Sequence, residues 1–270
     1  MKAQSELNWV FIIVAGAIIL AFFTGFAFKY KDLQEEKLSI ELLNTLDNTL
    51  TSFKTSPYKT FDIINLPTTV KITCNQIQIN DKSYQTNNLL FSPVELRTKL
   101  LVYYRPFKIP FKVADFYLIT DANKKYHLIT DSTTEAYIVD LINNLPDDLK
   151  NKFSSSNLQK NEPNTKNIQI RNLNNNFINV NNHQIYLNGD LVLAAIFSDN
   201  FNCMYDKIKQ EMNNVVKVYE NKARLIHKEN CNYNSFLPYL NDLKQLNFNS
   251  ISSIDAINQE LANNNCPVLY

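Results

Sequence analysis

An uncharged apolar run near the N-terminus constrains this chain most. Residues Trp9 to Phe28 contain no Asp, Glu, Lys or Arg over twenty positions, and about 20 helical residues cross the hydrocarbon core of a bilayer. Trp9 and Tyr30 lie where interfacial aromatic side chains are found. A cleaved secretory signal would have a shorter apolar region and a small-residue cleavage site, whereas this run ends in Phe-Ala-Phe-Lys. We therefore predict an uncleaved transmembrane helix at 9–28, after a short head at 1–8, with the lipid bilayer as a partner.

The apolar periodicity continues beyond the membrane run. Apolar residues recur every four positions and then after three, at Leu38, Leu42, Leu46, Leu50 and Phe53. This spacing is typical of an amphipathic helix. We predict one long helix from about residue 8 to 54, whose part at 29–55 forms an amphipathic stalk. Ser56-Pro57 is expected to end it, because a residue before proline disfavours the helical conformation.

The four cysteines indicate on which side of the membrane the rest of the chain lies. Lysines on the two sides of the membrane helix are nearly balanced, so the positive-inside rule does not decide. All four cysteines follow the helix without a C-x-x-C pair, which disfavours zinc-ribbon and thioredoxin-like sites. An even number of scattered cysteines fits disulfides in an oxidising space. We expect a single-pass cell-membrane protein with its large domain outside the cytoplasm; four buried thiols in a cytosolic domain are the alternative.

The predicted C-terminal helices limit how the cysteines can pair. A continuous helix between Cys203 and Cys231 would hold them about 40 Å apart, whereas a disulfide needs Cα atoms within about 7 Å. Two of the three connectivities therefore remain. In an up-down-up arrangement of three helices, Cys231 and Cys266 follow ends on the same side. We predict Cys231–Cys266, which leaves Cys74 to pair with Cys203.

The scarcity of glycine excludes several kinds of site. The chain has three glycines, Gly16, Gly25 and Gly189, whereas a dinucleotide fingerprint, a P-loop and a nucleophile elbow each need glycines at fixed places. The formal net charge of +1 lacks the basic surplus that attracts nucleic acid. The three histidines are not spaced as metal ligands. We predict no cofactor, no metal site, no nucleic-acid partner and few tight turns outside the membrane.

Residues 56–153 carry strand signals and are interpreted as an α+β domain. Period-two patterns and apolar runs predict strands at 70–74, 77–79, 89–91, 100–104 and 111–113. Asn80-Asp81 is predicted to be a turn, and Pro106 and Pro110 suggest that the strands beside them lie at sheet edges. The repeat FYLITD (116–121) and YHLITD (126–131) predicts an antiparallel hairpin, because four residues between the copies cannot form a parallel crossover.

The second half of the chain is interpreted as strands followed by helices. Residues 154–167 are polar and predict a flexible linker or loop, and 168–270 would form the rest of the protein. Strands are predicted at 168–171, 177–180, 183–187 and, after an Asn188-Gly189 hairpin turn, at 191–197. A long helix after residue 201 and shorter helices at 235–246 and 253–264 complete the fold. The fold class is α+β: a membrane helix with its stalk, a mixed or antiparallel sheet domain, and a C-terminal helical segment.

One short segment could bind a ligand. Asp131, Ser132 and Thr133 lie at a strand-to-helix junction, and the N-terminus of a helix with hydroxyl groups can hold an anion. The same residues also suit a capping box formed by Ser132 and Glu135, which is the alternative interpretation. Asp121 and Asp131 would lie about 16 Å apart in the predicted hairpin, too far for paired acid–base chemistry.

The membrane helix carries a face of small residues. Ala17, Ala21 and Gly25 follow one another at intervals of four. A small-xxx-small face lets two helices approach closely. We therefore expect self-association through the membrane helix as one route to a partner.

The chain resembles two groups of proteins. KAQSELNWVFIIVAGAIILAFF at the start, FSPVELRTKLLVYYRPFKIPFKVADFYLIT, and LVLAAIFSDNFNCMYDKIKQEM with Cys203 resemble a group of single-pass membrane proteins from small-genome DPANN archaea. That resemblance implies location and architecture and no activity. Ala3-Gln4-Ser5-Glu6 before an apolar helix is similar to the processing site of archaeal type IV pilin-like proteins. The Glu follows the Gln by two residues instead of four, and the soluble part is large for a pilin.

Three functions follow from these expectations. The first is a membrane-anchored extracytoplasmic binding or structural protein of the cell envelope, with a protein partner and no evident catalytic activity. The second is a pilin-like subunit. The third is a membrane-tethered enzyme whose site is assembled from distant residues, which would require a concave pocket with several titratable groups.

Overall fold

A computed structural model describes residues 2–56, 60–80, 82–156, 158–174, 176–227 and 231–270. The helices are α1 (Lys2–Thr55), α2 (Glu135–Asn143), α3 (Asp147–Lys150), α4 (Gly189–Phe197), α5 (Phe201–Ile226), α6 (Leu237–Lys244) and α7 (Ile251–Asn263). The strands are β1 (Phe61–Asn65), β2 (Val70–Ile72), β3 (Gln76–Ile79), β4 (Lys82–Gln85), β5 (Leu89–Phe91), β6 (Glu95–Leu96), β7 (Lys99–Lys108), β8 (Lys112–Asp121), β9 (Lys125–Thr130), β10 (Phe153–Ser155), β11 (Thr165–Asn174), β12 (Phe177–Val180) and β13 (His183–Tyr186). The predicted α+β class, with a long N-terminal helix and C-terminal helices, is confirmed.

Helix α1 is one unbroken helix of 54 residues with two different environments. Its apolar first half is exposed, and it is the one helix in the described residues that is long and apolar enough to cross a membrane. Its second half enters the protein core, where Leu42, Leu46, Leu50 and Phe53 are almost fully buried. The residues that recur at three-to-four residue spacing in the sequence therefore form the helix face that packs on the domain.

The first sheet has the strand order β1-β7-β8-β5 and receives α1 on one face. β7 and β8 form a long antiparallel pair in which Leu100 lies opposite Asp121. Both are inner strands, so the expectation of sheet edges at the prolines is wrong for these strands as a whole. β1 pairs with β7 only as far as Tyr103. Pro106 lies beyond that point. Its missing backbone N–H therefore costs no hydrogen bond to β1.

The second sheet is small and antiparallel, with the order β4-β3-β2-β6. β3 and β4 form a hairpin in which Ile79 lies opposite Lys82. Asn80 starts its turn with a positive φ of 52°, and Asp81, the other half of the predicted turn, lies outside the described residues. Asn80 also donates from Nδ2 to Ser39 Oγ of α1 at 3.1 Å, so this sheet is attached to the stalk.

The third sheet corrects one prediction. Its order is β10-β9-β11-β12-β13, and β9 runs parallel to both β10 and β11. β8 and β9 therefore belong to different sheets, and the predicted FYLITD–YHLITD hairpin is wrong. Of the predicted linker or loop at 154–167, the described residues 156 and 158–164 have no strand or helix, while the two ends belong to β10 and β11. The flexibility of this segment stays a prediction.

The run LVLAAIF is a helix and not the predicted central strand. It forms most of α4, in which Leu191 through Phe197 are all buried. Asn188 is the N-cap, with Oδ1 accepting from the backbone N–H groups of Asp190 and Leu191. Gly189 is thus the first helical residue and not a hairpin residue. A Cβ there would come within 2.9 Å of Leu141 Cδ1, so this glycine permits the close approach of α2.

The C-terminal helices and both predicted disulfides are present. α5 packs on β8 and β5, and α6 packs on α5. Cys74 is joined to Cys203 with a Cα–Cα distance of 5.9 Å, and Cys231 is joined to Cys266 with 5.8 Å. The first bond connects the second sheet to the start of α5. The second connects the segment after α5 to the segment after α7.

Asparagine occupies most of the left-handed backbone positions. The non-glycine residues with positive φ among those described are Asn80, Asn164, Asn181, Asn182, Leu246 and Asn265. Asparagine enters this region more readily than most residues, because its side chain can bond the nearby backbone. Asn181 and Asn182 form the two-residue turn between β12 and β13, the kind of turn that needs two positive φ angles. The scarcity of glycine therefore does not limit tight turns, contrary to the sequence expectation.

Candidate functional site

The junction between α1 and the first sheet positions the domain relative to the apolar half of α1, which is long enough to cross a membrane. Tyr117 Oη donates to the carbonyl oxygen of Leu50 at 3.0 Å, and the rings of Phe53 and Tyr104 stack with centroids 5.9 Å apart. Desolvation raises the pKa of the Tyr104 phenol well above its usual range, and its hydrogen bond to Asp115 raises it further. Both phenols therefore stay protonated donors at neutral pH. The stalk helix is a core element of the domain and cannot swing independently of it.

The predicted helix-packing residues lie on the domain side of α1. Ala17 precedes Phe53 by 36 residues, which is about ten helical turns, so the two share one side of the helix. Ala17, Ala21 and Gly25 are exposed, and a Cβ at Gly25 would meet nothing within 4 Å. Self-association through this face stays a prediction.

Asp131 organises the junction between β9 and α2. Its Oδ1 accepts from the backbone N–H groups of Thr133 (3.1 Å) and Thr134 (2.9 Å) and from both threonine hydroxyls. Its Oδ2 accepts from the N–H of Asn172 at 2.7 Å. The predicted capping box is absent, because α2 begins one residue after Thr134 and its N-cap makes no side-chain cap bond. The acceptor is the Asp131 carboxylate, which also joins β11 to this loop.

The electrostatics of Asp131 follow from those contacts. Desolvation pushes the pKa of its carboxyl group upward, but the bonds from Asn172, Thr133 and Thr134 outweigh it and hold the pKa well below its usual range. Ser132 and Thr133 are exposed beside it. The three residues come together as predicted, with the carboxylate already engaged by five donors of its own chain. Ligand binding at Asp131, Ser132 and Thr133 stays a prediction.

His127 is a buried polar centre whose partners the sequence did not indicate. It lies in β9 and is fully buried. Nε2 lies 2.8 Å from the carbonyl oxygen of Leu158, and Nδ1 lies 2.9 Å from Ser154 Oγ. A carbonyl oxygen only accepts, so Nε2 carries a proton and donates to Leu158, while Nδ1 shares a hydrogen bond with the hydroxyl of Ser154. The imidazole thus fastens β10 and the segment after it to the third sheet.

A partly exposed ion pair lies where the sheets meet α5. Lys166 Nζ in β11 contacts Asp199 Oδ1 at 2.7 Å and also the carbonyl oxygens of Ile196 and Ser198. The other carboxylate oxygen of Asp199 accepts from the N–H of Val94 at 3.1 Å. Desolvation lowers the pKa of Lys166, and although desolvation also acts on Asp199, the contacts with Lys166 bring the pKa of that carboxyl below its usual range. This pair connects three segments that are distant in sequence.

A polar cleft opens beside this pair. Its volume is about 370 Å³, and its charged lining residues are Glu95, Arg97, Asp121, Lys124 and Asp199. The carboxylates are already occupied: Glu95 pairs with Arg97 at 2.6 Å, and Asp121 accepts from the backbone N–H of Arg97 and Thr98. Within the described residues, no three His, Cys, Asp or Glu side chains are grouped as metal ligands. The cleft has titratable groups, but each acid is held by its own chain.

Comparison with known proteins adds no family. No family model, no curated protein and no solved structure matches this chain. Sequence reasoning identified Asp131 and the cysteines, and it missed the pairing of Lys166 with Asp199 and of His127 with Ser154. Lys166 and Ser154 both lie in the polar segment interpreted as a linker, where no periodicity marks a buried partner.

Proposed function

We propose that this chain is a single-pass membrane protein that holds a rigid, disulfide-bonded α+β domain outside the cytoplasm, as a binding or structural component of the cell envelope. The observation that carries the proposal is the continuity of α1. Its exposed apolar half is long enough to span a bilayer, and its other half is part of the domain core. A domain joined to its anchor in this way is held at a fixed height and orientation, which suits a structural or docking role.

The two disulfides support the extracytoplasmic side. Such bonds form and persist in oxidising spaces and are rare in cytosolic proteins of most organisms. No free cysteine remains among the described residues, so every thiol is used for cross-linking. A cytosolic location would leave these positions reduced.

The location is tested by labelling and extraction in cells. Leu158→Cys adds one exposed thiol, since that side chain is 78% exposed. We expect the protein to resist alkaline carbonate extraction and to react with a membrane-impermeant maleimide in intact cells. Without reductant, the wild-type chain should take up no alkylating reagent after denaturation. Release by carbonate contradicts the anchor, and labelling of the variant only after lysis contradicts the extracytoplasmic side.

The binding or structural role is tested by cross-linking in situ with mass spectrometry. We expect reproducible cross-links from the domain to other envelope components or to further copies of the chain. The same experiment on cells that produce the domain on an unrelated membrane helix is the control for contacts that need α1. Cross-links confined to single copies of the chain would contradict the role.

A pilin-like subunit is the second candidate, and the division of α1 favours it. A helix with a bare apolar half and a half packed on an antiparallel pair of strands is the arrangement that the sequence resemblance implies. The two candidates differ at the mature N-terminus. A mature chain that starts at Gln4 supports the pilin-like subunit, whereas one that retains Met1 supports the uncleaved anchor.

A further inference from the structure

The two disulfides lie at opposite kinds of helix end. Cys203 is the third residue of α5, which runs from Phe201 to Ile226. Its partner Cys74 lies in the turn between β2 and β3, whereas Cys266 of the other disulfide follows the end of α7. Because the two ends of a helix carry partial charges of opposite sign, these sulfur atoms differ in how well each can carry the negative charge of a thiolate.

The positive end of α5 is not compensated by a side chain. The N-cap residue Asn200 makes no side-chain cap bond, and the first turn contains no acidic residue. Asp199, just before the cap, has its carboxylate bonded to Lys166 and Val94. A helical side chain points back towards the N-terminus of its helix, so the Cys203 sulfur is directed towards the unpaired N–H groups of the first turn. A thiolate of Cys203 is stabilised there, as thiolates at helix N-termini generally are.

A lysine ammonium lies beside the same disulfide. Lys207 follows Cys203 by about one helical turn. Its Nζ donates to the carbonyl oxygen of Cys74 at 2.8 Å and to the carbonyl oxygen of Thr86 at 3.3 Å. Both acceptors are neutral, and desolvation lowers the pKa of Lys207. A thiolate at this disulfide would give the ammonium a neighbour of opposite charge, which stabilises both groups.

The second disulfide is less suited to hold a thiolate. Cys266 is only 6% exposed, and its sulfur lies 3.8 Å from the carbonyl oxygen of Asn264, just after the last residue of α7. Carbonyl groups at the C-terminus of a helix carry partial negative charge. Attack on the half-buried partner Cys231 would therefore have to expel a poorly stabilised thiolate of Cys266.

Cys74 is the sulfur that a reagent in solution can attack. It is half-buried, and its neighbours Thr73 and Asn75 in the turn are exposed. Thiol–disulfide exchange is faster when the departing sulfur is the better stabilised thiolate. Attack on Cys74 expels Cys203, the sulfur at the positive end of α5.

We propose that Cys74–Cys203 is an exchangeable disulfide that reacts with a low-molecular-weight thiol, whereas Cys231–Cys266 is a permanent cross-link. The sulfur of an external thiolate forms a bond to Sγ of Cys74. The Cys74–Cys203 bond breaks, and Cys203 leaves with the electron pair as a thiolate beside Lys207. The external thiol is oxidised into a mixed disulfide, and Cys203 is reduced. The inference needs the two disulfides and not the membrane anchor, so it can fail while the proposed function holds.

Exchange at this position changes how the second sheet is attached. The disulfide is a covalent cross-link between this sheet and α5, and the same sheet is bonded to the stalk through Asn80 and Ser39. After exchange, the bonds from Lys207 to the carbonyl groups of Cys74 and Thr86 remain. A thiol therefore loosens the connection between α5 and the stalk without releasing the sheet.

Trapping of the cysteines during reduction tests the proposal. The oxidised full chain in detergent is treated with glutathione, quenched with N-ethylmaleimide at intervals and digested for mass spectrometry. In the first products Cys74 should carry glutathione and Cys203 should be alkylated, at least about tenfold faster than Cys231 or Cys266 reacts. Equal rates at the two disulfides overturn the inference, and so does glutathione on Cys203 with alkylation of Cys74.

Lys207→Met separates the charge of the lysine from its hydrogen bonds. If Lys207 only held the two carbonyl groups, its loss would loosen the turn and speed the reaction. If its charge stabilises the departing thiolate, Lys207→Met should slow opening of Cys74–Cys203 by about threefold or more. Lys207→Arg keeps the charge and should react within about twofold of wild type.

Lys209→Met is the matched control, because Lys209 is an exposed lysine of the same helix. It should leave the rate at Cys74–Cys203 unchanged. The rate at Cys231–Cys266 in every variant reports whether the rest of the domain is intact. A Lys207→Met variant that opens Cys74–Cys203 as fast as wild type, or faster, overturns the inference.

Discussion

The hydroxyl of Tyr117 in β8 donates a 3.0 Å hydrogen bond to the backbone carbonyl of Leu50 in α1. This bond joins an inner strand of the first sheet to the helix whose other half is long and apolar enough to cross a membrane. Phe53, one turn further, stacks on Tyr104 of the neighbouring strand β7. The two contacts make α1 and the domain a single body, so the direction of the apolar half of α1 is fixed relative to the domain.

The junction predicts a large effect for one aromatic residue. Phe53→Ala should lower the free energy of unfolding by about 3–5 kcal/mol, because it leaves a cavity among Leu50, Tyr104 and Tyr117. Tyr117→Phe should cost about 1 kcal/mol, the loss of one hydrogen bond. Urea unfolding of the full chain in detergent, followed by near-UV circular dichroism, measures both. Thr45→Ala, on the exposed side of the same helix, is the control and should change stability by less than about 0.5 kcal/mol. A Phe53→Ala variant as stable as the control would contradict the junction.

The ion pair between Lys166 and Asp199 predicts strong coupling between two substitutions. Lys166→Met leaves the partly exposed Asp199 carboxylate without its cation and should lower the free energy of unfolding by about 1–2 kcal/mol, because solvent screens part of the interaction. Lys166→Met combined with Asp199→Asn should cost less than the sum of the two single changes by at least about 1 kcal/mol. A double-mutant cycle from urea unfolding gives the coupling. Lys125 and Glu162 form an exposed pair 3.3 Å apart and serve as the matched control, with coupling of about 0–1 kcal/mol. Additive effects at 166 and 199 would contradict the structure.

The hydrogen bonds to Asp131 predict a pH dependence of stability. Desolvation raises the pKa of this carboxyl group, but donors from Asn172, Thr133 and Thr134 lower it further, so the folded pKa lies below the unfolded value near 4. Its contribution to stability is therefore complete above about pH 4 and is lost as the pH falls towards the folded pKa. Asp131→Asn should lower the free energy of unfolding by about 1 kcal/mol at neutral pH, and this difference from wild type should shrink in acid.

Unfolding curves measured between pH 3 and pH 7 check this dependence, with both proteins compared at each pH. Asp148→Asn is the control, because Asp148 is an exposed carboxylate in the first turn of α3. If the free energy of unfolding of Asp131→Asn lay below that of wild type by the same amount at every pH, the carboxylate charge would play no part.

The contacts of His127 predict local opening of one segment. His127→Ala removes the ring that holds Ser154 and the carbonyl oxygen of Leu158, and it leaves a cavity with unpaired polar groups. We expect the free energy of unfolding to fall by about 3 kcal/mol. Proteolytic cleavage near Leu158 should be at least about tenfold faster than in wild type. Limited proteolysis with mass spectrometry locates the cut. His183→Ala, at the far edge of the same sheet, should not accelerate cleavage there; equal rates in the two variants would contradict the role of His127.

Local periodicity is sufficient for the helices that carry an amphipathic pattern. The spacing of Leu42, Leu46, Leu50 and Phe53 predicts both the stalk helix and the face that it buries. α5 and the two helices after it follow from the same kind of spacing, and the length of α5 is enough to exclude one disulfide pairing. Each of these conclusions uses residues that lie close together along one helix.

Strand partners depend on the tertiary structure. The two copies of the LITD repeat are separated by a four-residue turn that fits a hairpin, yet β8 pairs with β7 and β5 while β9 pairs with β10 and β11. A short turn limits where the chain can go next, but it does not decide whether the next strand joins the same sheet. The prediction for LVLAAIF was wrong for a related reason. A segment buried on every side has neither a helical nor a strand period, so only its surroundings distinguish the two.

The sequence by itself determined the long apolar helix, its continuation into a stalk and the cysteines available for cross-links, because each depends on the length and spacing of apolar or sulfur-bearing residues along the chain. The tertiary structure alone decided which sheets form, that Lys166 meets Asp199 across the fold, and which side of α1 the domain occupies. The side of α1 that the domain occupies leaves Leu33 and Ile40 on the opposite, exposed side of the stalk. Ala17, Ala21 and Gly25 lie on the domain side. The physical reason is that a rigid helix transmits the direction of its packed face over its whole length, and that direction is fixed only when the other elements fold against it.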